Sequence, residues 1–413
     1  PSRGLGDVYK RQEEYDKAGC FSGSAIEADG KHVLVYTGVT RIKQSDGSEQ
    51  DRQNQCIAFG DGKDYQKYDK NPVMTGEMLP EGCNRVDFRD PKIWKENDTY
   101  YMIVGNTNEN QLGQVVLCSS KNLTDWKFET ILASNESGKI GTMWECPDFF
   151  PLDGKWVLIL SPIEMERQQE KYWNLNSTGA FIGDMNWETG QFFVDTYDEI
   201  DGGLDFYAPQ TCQGPNGERY MVAWMQMWQR SIPSHDLGHG WAGSMTISRK
   251  LGLKDGRLVQ ELPESVKNHF LVENAPETIV KGNQIMIPAR GKQTLFEIDS
   301  KSGRSFILKY GDESDVDSAL QLIYDASNKR FSLSRDQFGH LISGKESPEF
   351  QSRWIQLDGE KDYHFSILRD TNSIEVFVDG KTLSMTFYET TENPVYTFKA
   401  DEGVDLVVKA YQK

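Results

Sequence analysis

The 413-residue chain has no apolar run approaching the 18 or more residues that cross a bilayer as a helix. It has no CxxC pair either. Its six cysteines, Cys20, Cys56, Cys83, Cys118, Cys146 and Cys212, stand singly, which argues against a zinc ribbon or a disulfide framework and suits a reducing, cytoplasmic compartment. Basic residues are in deficit: 45 against 63 acidic ones give a net charge of −18, which repels phosphate backbones and anionic lipid surfaces. Neither nucleic acid nor a membrane is therefore expected as a partner, although a local basic patch could still hold a single phosphate. The first twelve residues, PSRGLGDVYKRQ, lack both the apolar stretch of a signal peptide and the alternation of the chain beyond them; they read as a non-native end. Metal-ligand patterns are missing too. His235 and His239 flank Gly238 in a loop after Pro233 with no third ligand, and Asp312, Asp315 and Asp317 lack the glycine and distal glutamate of a calcium loop. Neither a metal nor a cofactor is implied.

Aromatic residues and glycine are plentiful instead, with 10 Trp, 17 Tyr, 20 Phe and 37 Gly scattered among short apolar runs. Aromatic side chains pack on pleated faces and glycine serves turns, so the composition predicts an all-β chain. From residue 21 a pattern recurs: an extended run, a tight turn and a strand. The runs begin near Ser22, Arg89, Glu145 and Tyr207, at intervals of 67, 56 and 62 residues, and turn at Asp29-Gly30, Asn97-Asp98, Asp153-Gly154 and Asn216-Gly217. A second hairpin comes after each first one. Four-stranded units at that spacing read as blades of a β-propeller.

In a propeller the first strand of each blade lines the central channel, so the heads of the repeats converge. Those heads are Phe21-Ser22, Arg89-Asp90, Glu145 and the group Asp205-Phe206-Tyr207. Glu145 sits in Met143-Trp-Glu-Cys-Pro-Asp-Phe-Phe150, where Trp144 and Phe149 would strip water from the carboxyl and hold its proton near neutral pH, as a general acid requires. The plainer alternatives are a solvated strand end for Glu145 and a turn cap for Asp90. Two carboxylates among aromatic walls fit glycoside hydrolysis, and they equally fit carbohydrate binding without catalysis.

Glu261-Leu-Pro-Glu264 closes the pattern. Residues 13–264 are expected to form the propeller and 265–278 a linker. Alternating segments in 279–413 are expected to form an antiparallel β-sandwich.

Six ordered stretches carry a resemblance to a known family. They are Gly19-Cys-Phe-Ser-Gly-Ser-Ala25, Phe88-Arg-Asp-Pro-Lys92, Met143–Phe150, Asp205-Phe-Tyr-Ala-Pro-Gln210, Trp241-Ala-Gly243 with Arg249, and Ser373-Ile-Glu-Val-Phe-Val-Asp-Gly380. Together they resemble glycoside hydrolase family 32, the invertases, fructanases and bacterial sucrose-6-phosphate hydrolases. The first, third and fourth have a bacterial look. The resemblance implies a five-bladed propeller with its first blade incomplete, a C-terminal sandwich, and hydrolysis of terminal β-fructofuranosyl bonds with retention. It implies Glu145 as general acid and base, Asp90 as transition-state stabiliser, and Phe21, Ser22, Arg89, Asp205 and Trp241 as sugar contacts. Cys146 would neighbour the acid and tune it, and the partner would be a small saccharide.

One departure stands out. The family's nucleophile is the Asp of a W-M-N-D-P-N-G segment ahead of the F-S-G-S match, and no such segment is present; Asp7 and Asp16, the only upstream aspartates, lie in other contexts. A retaining mechanism without its nucleophile forms no covalent intermediate. The resemblance thus implies an N-terminally shortened member of low activity, with fructosyl transfer and non-catalytic sugar binding as the other readings.

Overall fold

The computed structural model describes residues 12–271, 277–281, 285–345, 351–391, 393–401 and 405–413. Most of the expected non-native end lies outside them. The chain divides into two compact units, Pro1–Glu166 with Gly179–Tyr197, and Arg167–Thr178 with Asp198–Lys413.

The first unit holds three antiparallel sheets of four strands. They are β1 (Gly19–Ala28), β2 (Lys31–Lys43), β3 (Glu49–Gly60) and β4 (Tyr65–Lys67); β5 (Cys83–Glu96), β6 (Thr99–Asn108), β7 (Gly113–Ser120) and β8 (Trp126–Ser134); and β9 (Trp144–Leu152), β10 (Lys155–Pro162), β11 (Gly179–Asn186) and β12 (Gln191–Glu199). The hairpin turns are set by residue type. Asp29 and Gly30 (φ 51° and 71°) and Asp153 and Gly154 (φ 47° and 83°) both take the left-handed region, as a two-residue turn matching strand twist requires. Strand alternation then fixes the packing. On β6, Met102 and Val104 face Val33, Val35 and Phe88 in a core with the first sheet. Ile103, between them, faces Trp144 and Leu158 in a core with the third. The middle sheet is thus apolar on both faces, which is the stacking of propeller blades. The first sheet has the four strands that the repeat assigns to the unit beginning near Ser22.

The second unit begins with a fourth such sheet, β13 (Tyr207–Gln213), β14 (Arg219–Trp224), β15 (Arg249–Lys254) and β16 (Arg257–Glu261). Its third strand starts later than Gly243, where the repeat places it: Gly243 has φ 77°, and only an isolated bridge joins Met245 to Trp224. A helix, Glu264–Leu271, occupies much of the expected linker.

Beyond the helix come β17 (Glu277–Lys281), β18 (Ile285–Pro288), β19 (Thr294–Ser300), β20 (Phe306–Asp312), β21 (Asp315–Asp325), β22 (Arg330–Ser334), β23 (Ser352–Gln356), β24 (Tyr363–Arg369), β25 (Ser373–Val378), β26 (Lys381–Thr386), β27 (Pro394–Ala400) and β28 (Asp405–Gln412). They form two six-stranded sheets, β17-β28-β19-β24-β25-β26 and β18-β27-β20-β21-β22-β23, around a core that includes Phe296, Phe306, Phe331, Phe365 and Phe398. This is the expected sandwich. The sequence pattern does not pick out β17, inside what reads as a polar connector, or β27, which opens on a proline. Both are paired by neighbours far along the chain, β28 for the first and β18 and β20 for the second.

The fourth sheet is joined to the sandwich through a buried polar network. Arg249, fully buried, reaches Asp201 at 2.8 Å and Glu375 at 2.7 Å, and also donates to Gln260 and Thr382. Asp201 in turn accepts from the backbone N–H and the hydroxyl of Ser384. Two stretches of the family resemblance, the one ending at Arg249 and Ser373–Gly380, are therefore two sides of one ion pair.

Candidate active site

At the head of each sheet's first strand the ladder breaks register. The breaks fall between Phe21 and Gly23 on β1, Arg89 and Lys92 on β5, Glu145 and Asp148 on β9, and Tyr207 and Gln210 on β13. Such a bulge re-aims a side chain that regular pleating would send to a sheet face. In three of the four the residue before a proline has positive φ: Asp90 at 65°, Cys146 at 48° and Ala208 at 51°. L-residues rarely take that conformation, and each instance stores about 1–3 kcal/mol that the surrounding packing must offset.

Arg89 and Asp90 on β5 are each tied to one of two successive residues on β9. Arg89 Nε and Nη2 both donate to Glu145 Oε1, at 3.1 and 2.8 Å. Asp90 Oδ2 accepts from the Cys146 backbone N–H at 3.0 Å and from its thiol at 3.6 Å. The Asp90 backbone N–H donates to Thr37 Oγ1 at 3.0 Å, and Thr37 donates to Gln55, whose amide holds Phe88 O. Gln53 Oε1 accepts from Phe88 N and Arg89 Nη1. Strands β2 and β3 therefore position the Arg89-Asp90 turn from behind.

Two further links fix the heads side by side. Ser24 Oγ donates to Pro91 O and accepts from Ile93 N, joining β1 to β5. Lys92 Nζ reaches the fully buried Asp148 at 3.0 Å, joining β5 to β9. Sequence reasoning missed this pair. Its signal was the repeat register, since Ser24, Lys92 and Asp148 each stand two residues beyond the re-aimed residue of their sheet.

The first unit thus gathers Arg89, Asp90 and Glu145, with Phe21 and Ser22 exposed at the adjoining strand head. Two expectations need correcting. Trp144 and Phe149 are 0% and 2% exposed and fill the core between the second and third sheets. Trp144 donates its indole N–H to Ile140 O and packs where Gly113 has no Cβ. The rings are packing residues, and what the structure sets against Glu145 is the Arg89 guanidinium. Cys146, next to the acid in sequence, turns its N–H and thiol onto Asp90. Burial, and then the charges of Asp90 and Glu145, push that thiol well above its usual range, so it stays protonated as a donor.

Burial raises the Asp90 carboxyl as well; Arg89 pulls it back, and Glu145 pushes it further up. A carboxyl raised in the folded state stabilises the fold fully only below its unfolded pKa near 3.9, and that contribution is lost as pH climbs through the folded value. Asp90→Asn keeps an acceptor for the Cys146 N–H and removes the buried charge. It is expected to melt higher than the parent at pH 7, with the gain gone below about pH 4. A lower melting temperature at pH 7 would contradict this.

Asp205 and Trp241 belong to the second unit. Asp205 is fully buried, bonded to Arg230 at 3.1 Å, to Arg335, and to the N–H and hydroxyl of Thr386 at 2.8 and 2.9 Å. Burial alone would raise its carboxyl, but Arg335 and Arg230 outweigh that and hold it below the usual range. Trp241 is 54% exposed, its ring 5.3 Å from that of His239.

Bladed sheets carrying two carboxylates and an arginine on neighbouring strand heads fit a propeller protein that binds or cleaves glycosides. Comparison with known proteins makes this specific. Residues 5–262 match the glycosyl hydrolases family 32 N-terminal domain, and residues 259–411 match the family's C-terminal domain. The sucrose-6-phosphate hydrolase of Bacillus subtilis (strain 168) is 39% identical over 397 residues, covering 94% of this chain and 77% of that protein. The sucrose-6-phosphate hydrolase of Escherichia coli is 32% identical over 405 residues, covering 96% and 80%. The Bombyx mori GH32 β-fructofuranosidase superposes with a TM-score of 0.83 at 27% identity, covering 97% of this chain and 80% of that one; a mutant of it was solved in complex with sucrose. The chain belongs to glycosyl hydrolases family 32 and is a glycosidase of the β-fructofuranosidase type.

Proposed function

We propose that the chain cleaves the terminal β-fructofuranosyl bond of sucrose or sucrose-6-phosphate with retention, Glu145 serving as general acid and base and Asp90 as transition-state stabiliser. The observation that carries this reading is the double tie between Arg89-Asp90 and Glu145-Cys146. Two N–H bonds from Arg89 to Oε1 of Glu145 fix the orientation of the carboxyl that would pass a proton to the leaving oxygen. Asp90, held by the Cys146 N–H, offers a carboxylate to the fructosyl hydroxyls. Phe21 and Ser22 contact the sugar beside them, and Trp241 is a further sugar contact. Asp205 fits this scheme as an anchor of the fourth sheet, because both its oxygens are engaged inside its own unit.

Retention needs a further carboxylate as nucleophile. Asp16 is buried and held by Lys67, Tyr36 and Cys20, which commits it to the first sheet. The test is fructose release from sucrose, sucrose-6-phosphate and fructan by a polypeptide that supplies such a carboxylate. Fast release is the expected result, and its absence on all three would defeat the reading. Oligosaccharides formed at high sucrose would favour transfer. Binding without turnover would favour a sugar-binding protein.

A further inference from the structure

The β5–β6 ladder breaks register twice, whereas the ladder of the first two strands in each of the other three bladed sheets breaks once. The additional break, between Cys83 and Phe88, leaves residues 84–87 outside the ladder. Those four residues are built into a turn. Asn84 Oδ1 accepts from Val86 N at 2.8 Å and from Asp87 N at 3.1 Å, the pattern by which an asparagine side chain holds its own backbone in a tight bend. From β6, Asn106 Nδ2 donates to Asn84 O at 2.8 Å and also to Asp87 O; from β7, Gln114 Nε2 donates to Asn106 Oδ1 at 2.7 Å. Asn106 is fully buried and Gln114 nearly so. Burying an amide is unfavourable unless it is hydrogen-bonded, and these two are bonded to each other and, through Asn106, to the turn.

What the turn delivers is Asp87. Its Oδ1 accepts from Arg89 Nη1 at 3.2 Å, the guanidinium nitrogen that takes no part in the bonds to Glu145. Gln53 Oε1 is the other acceptor at that nitrogen, at 3.4 Å. A planar fork held along one edge can swing about that edge, and a second hold at the remaining nitrogen fixes its plane. Burial works against the Arg89 charge, but Glu145, Asp90 and then Asp87 outweigh it and hold the guanidinium above its ordinary range. The Asp87 side chain is 37% exposed, against 11% for Arg89 and 14% for Glu145. A half-exposed partner of this kind adds little to the stability of the fold, so its consequence lies in where it holds the arginine. Contacts thus run unbroken from the buried amides of the second sheet through Asp87 and Arg89 to the carboxyl of Glu145. The bonds between Arg89 and Glu145 alone leave the additional break in β5 without a purpose.

We propose that Asp87 is a positioning residue: carried on the Asn84 turn, it fixes the Arg89 guanidinium and, through it, the orientation of the Glu145 carboxyl. This rests on the glycosidase reading above and adds a residue to it. Asp87→Ala tests it cleanly, because the turn is held by the Asn84 side chain and by the backbone N–H and C=O of residue 87, all of which alanine leaves in place. In NMR spectra of the isotope-labelled 413-residue chain, the Arg89 Nε–H that donates to Glu145 is expected to exchange slowly with water. Its signal is identified by its loss in Arg89→Lys. Asp87→Ala should speed that exchange about tenfold or more, while Asp87→Asn, which keeps an acceptor for Nη1, should restore most of the protection. In a polypeptide that supplies the nucleophile, Asp87→Ala should lower kcat/KM for sucrose by about ten- to a hundredfold, as the misplacement of a catalytic group does. An activated aryl fructoside, whose departure needs no acid, should lose much less, and Asp87→Asn should recover most of the deficit on sucrose. A purely structural role would lower the melting temperature and leave the ratio between the two substrates as it was. Unchanged exchange of the Arg89 Nε–H in Asp87→Ala, or equal deficits on sucrose and the aryl fructoside, overturns the proposal. No fructose release from the parent polypeptide, with the Arg89 signal responding as expected, removes the hydrolytic reading and leaves the hold on Arg89 standing.

Discussion

In a polypeptide that supplies the nucleophile, Glu145→Gln should lower the rate of fructose release by about 10²- to 10⁴-fold, the range in which a positioned general acid or base contributes. The amide keeps an acceptor for the two Arg89 N–H groups that converge on Oε1, so the orientation of the side chain survives while the transferable proton is lost. The variant separates the two jobs of residue 145. If Glu145 only anchored Arg89, activity would fall modestly and together with stability. If it is the acid, kcat and kcat/KM fall in parallel, with the melting temperature close to the parent's. A leaving group that needs no protonation sharpens the test, because an activated aryl fructoside should be cleaved with a much smaller deficit than sucrose. Equal deficits on both substrates would argue against the acid role.

Arg249→Met is expected to cost about 3–5 kcal/mol of stability, the penalty for leaving a buried charge without its partner. The side chain is fully buried, and two carboxylates lean on it, Asp201 at 2.8 Å and Glu375 at 2.7 Å. Burial already raises the Glu375 carboxyl, with Arg249 pulling it back. Without the arginine it rises further, and its ionised form becomes the destabilising one. A group raised in the folded state contributes fully below its unfolded pKa and loses that contribution as pH climbs. The deficit should therefore be smallest near pH 4 and grow toward pH 7. Urea unfolding at both values measures it, and a deficit under about 1 kcal/mol at pH 7 would mean the network is more weakly coupled than its geometry implies.

These two residues show what could be read from the chain without coordinates. Glu145 and Asp90 were legible because hairpin turns set a repeat, and the repeat aligns strand heads; alternation and turn chemistry are local and need no partner strand. Arg249, Glu375 and Asp205 stand in motifs that look just as chemical. A motif holding a charged residue does not say whether its counter-charge is a substrate or another motif more than a hundred residues away, as Arg249 and Glu375 are. The wall expected from Trp144 and Phe149 failed for a related reason. Sequence adjacency suggests contact, whereas alternation along β9 and the empty space at Gly113 draw the indole into the core. Cys146 adds a second case, since its backbone, in an unusual conformation that composition does not reveal, faces the neighbouring strand's aspartate. The strands β17 and β27 depended on pairing partners distant in the chain, which no local pattern records.

The left-handed residue ahead of a proline recurs at Asp90, Cys146 and Ala208, three positions with an acid, a thiol and a methyl group on the same backbone. The turn of backbone ahead of the proline recurs whichever side chain stands there, and what differs from sheet to sheet is the group presented: a carboxyl at Asp90, a thiol at Cys146 that donates to it, and a methyl at Ala208.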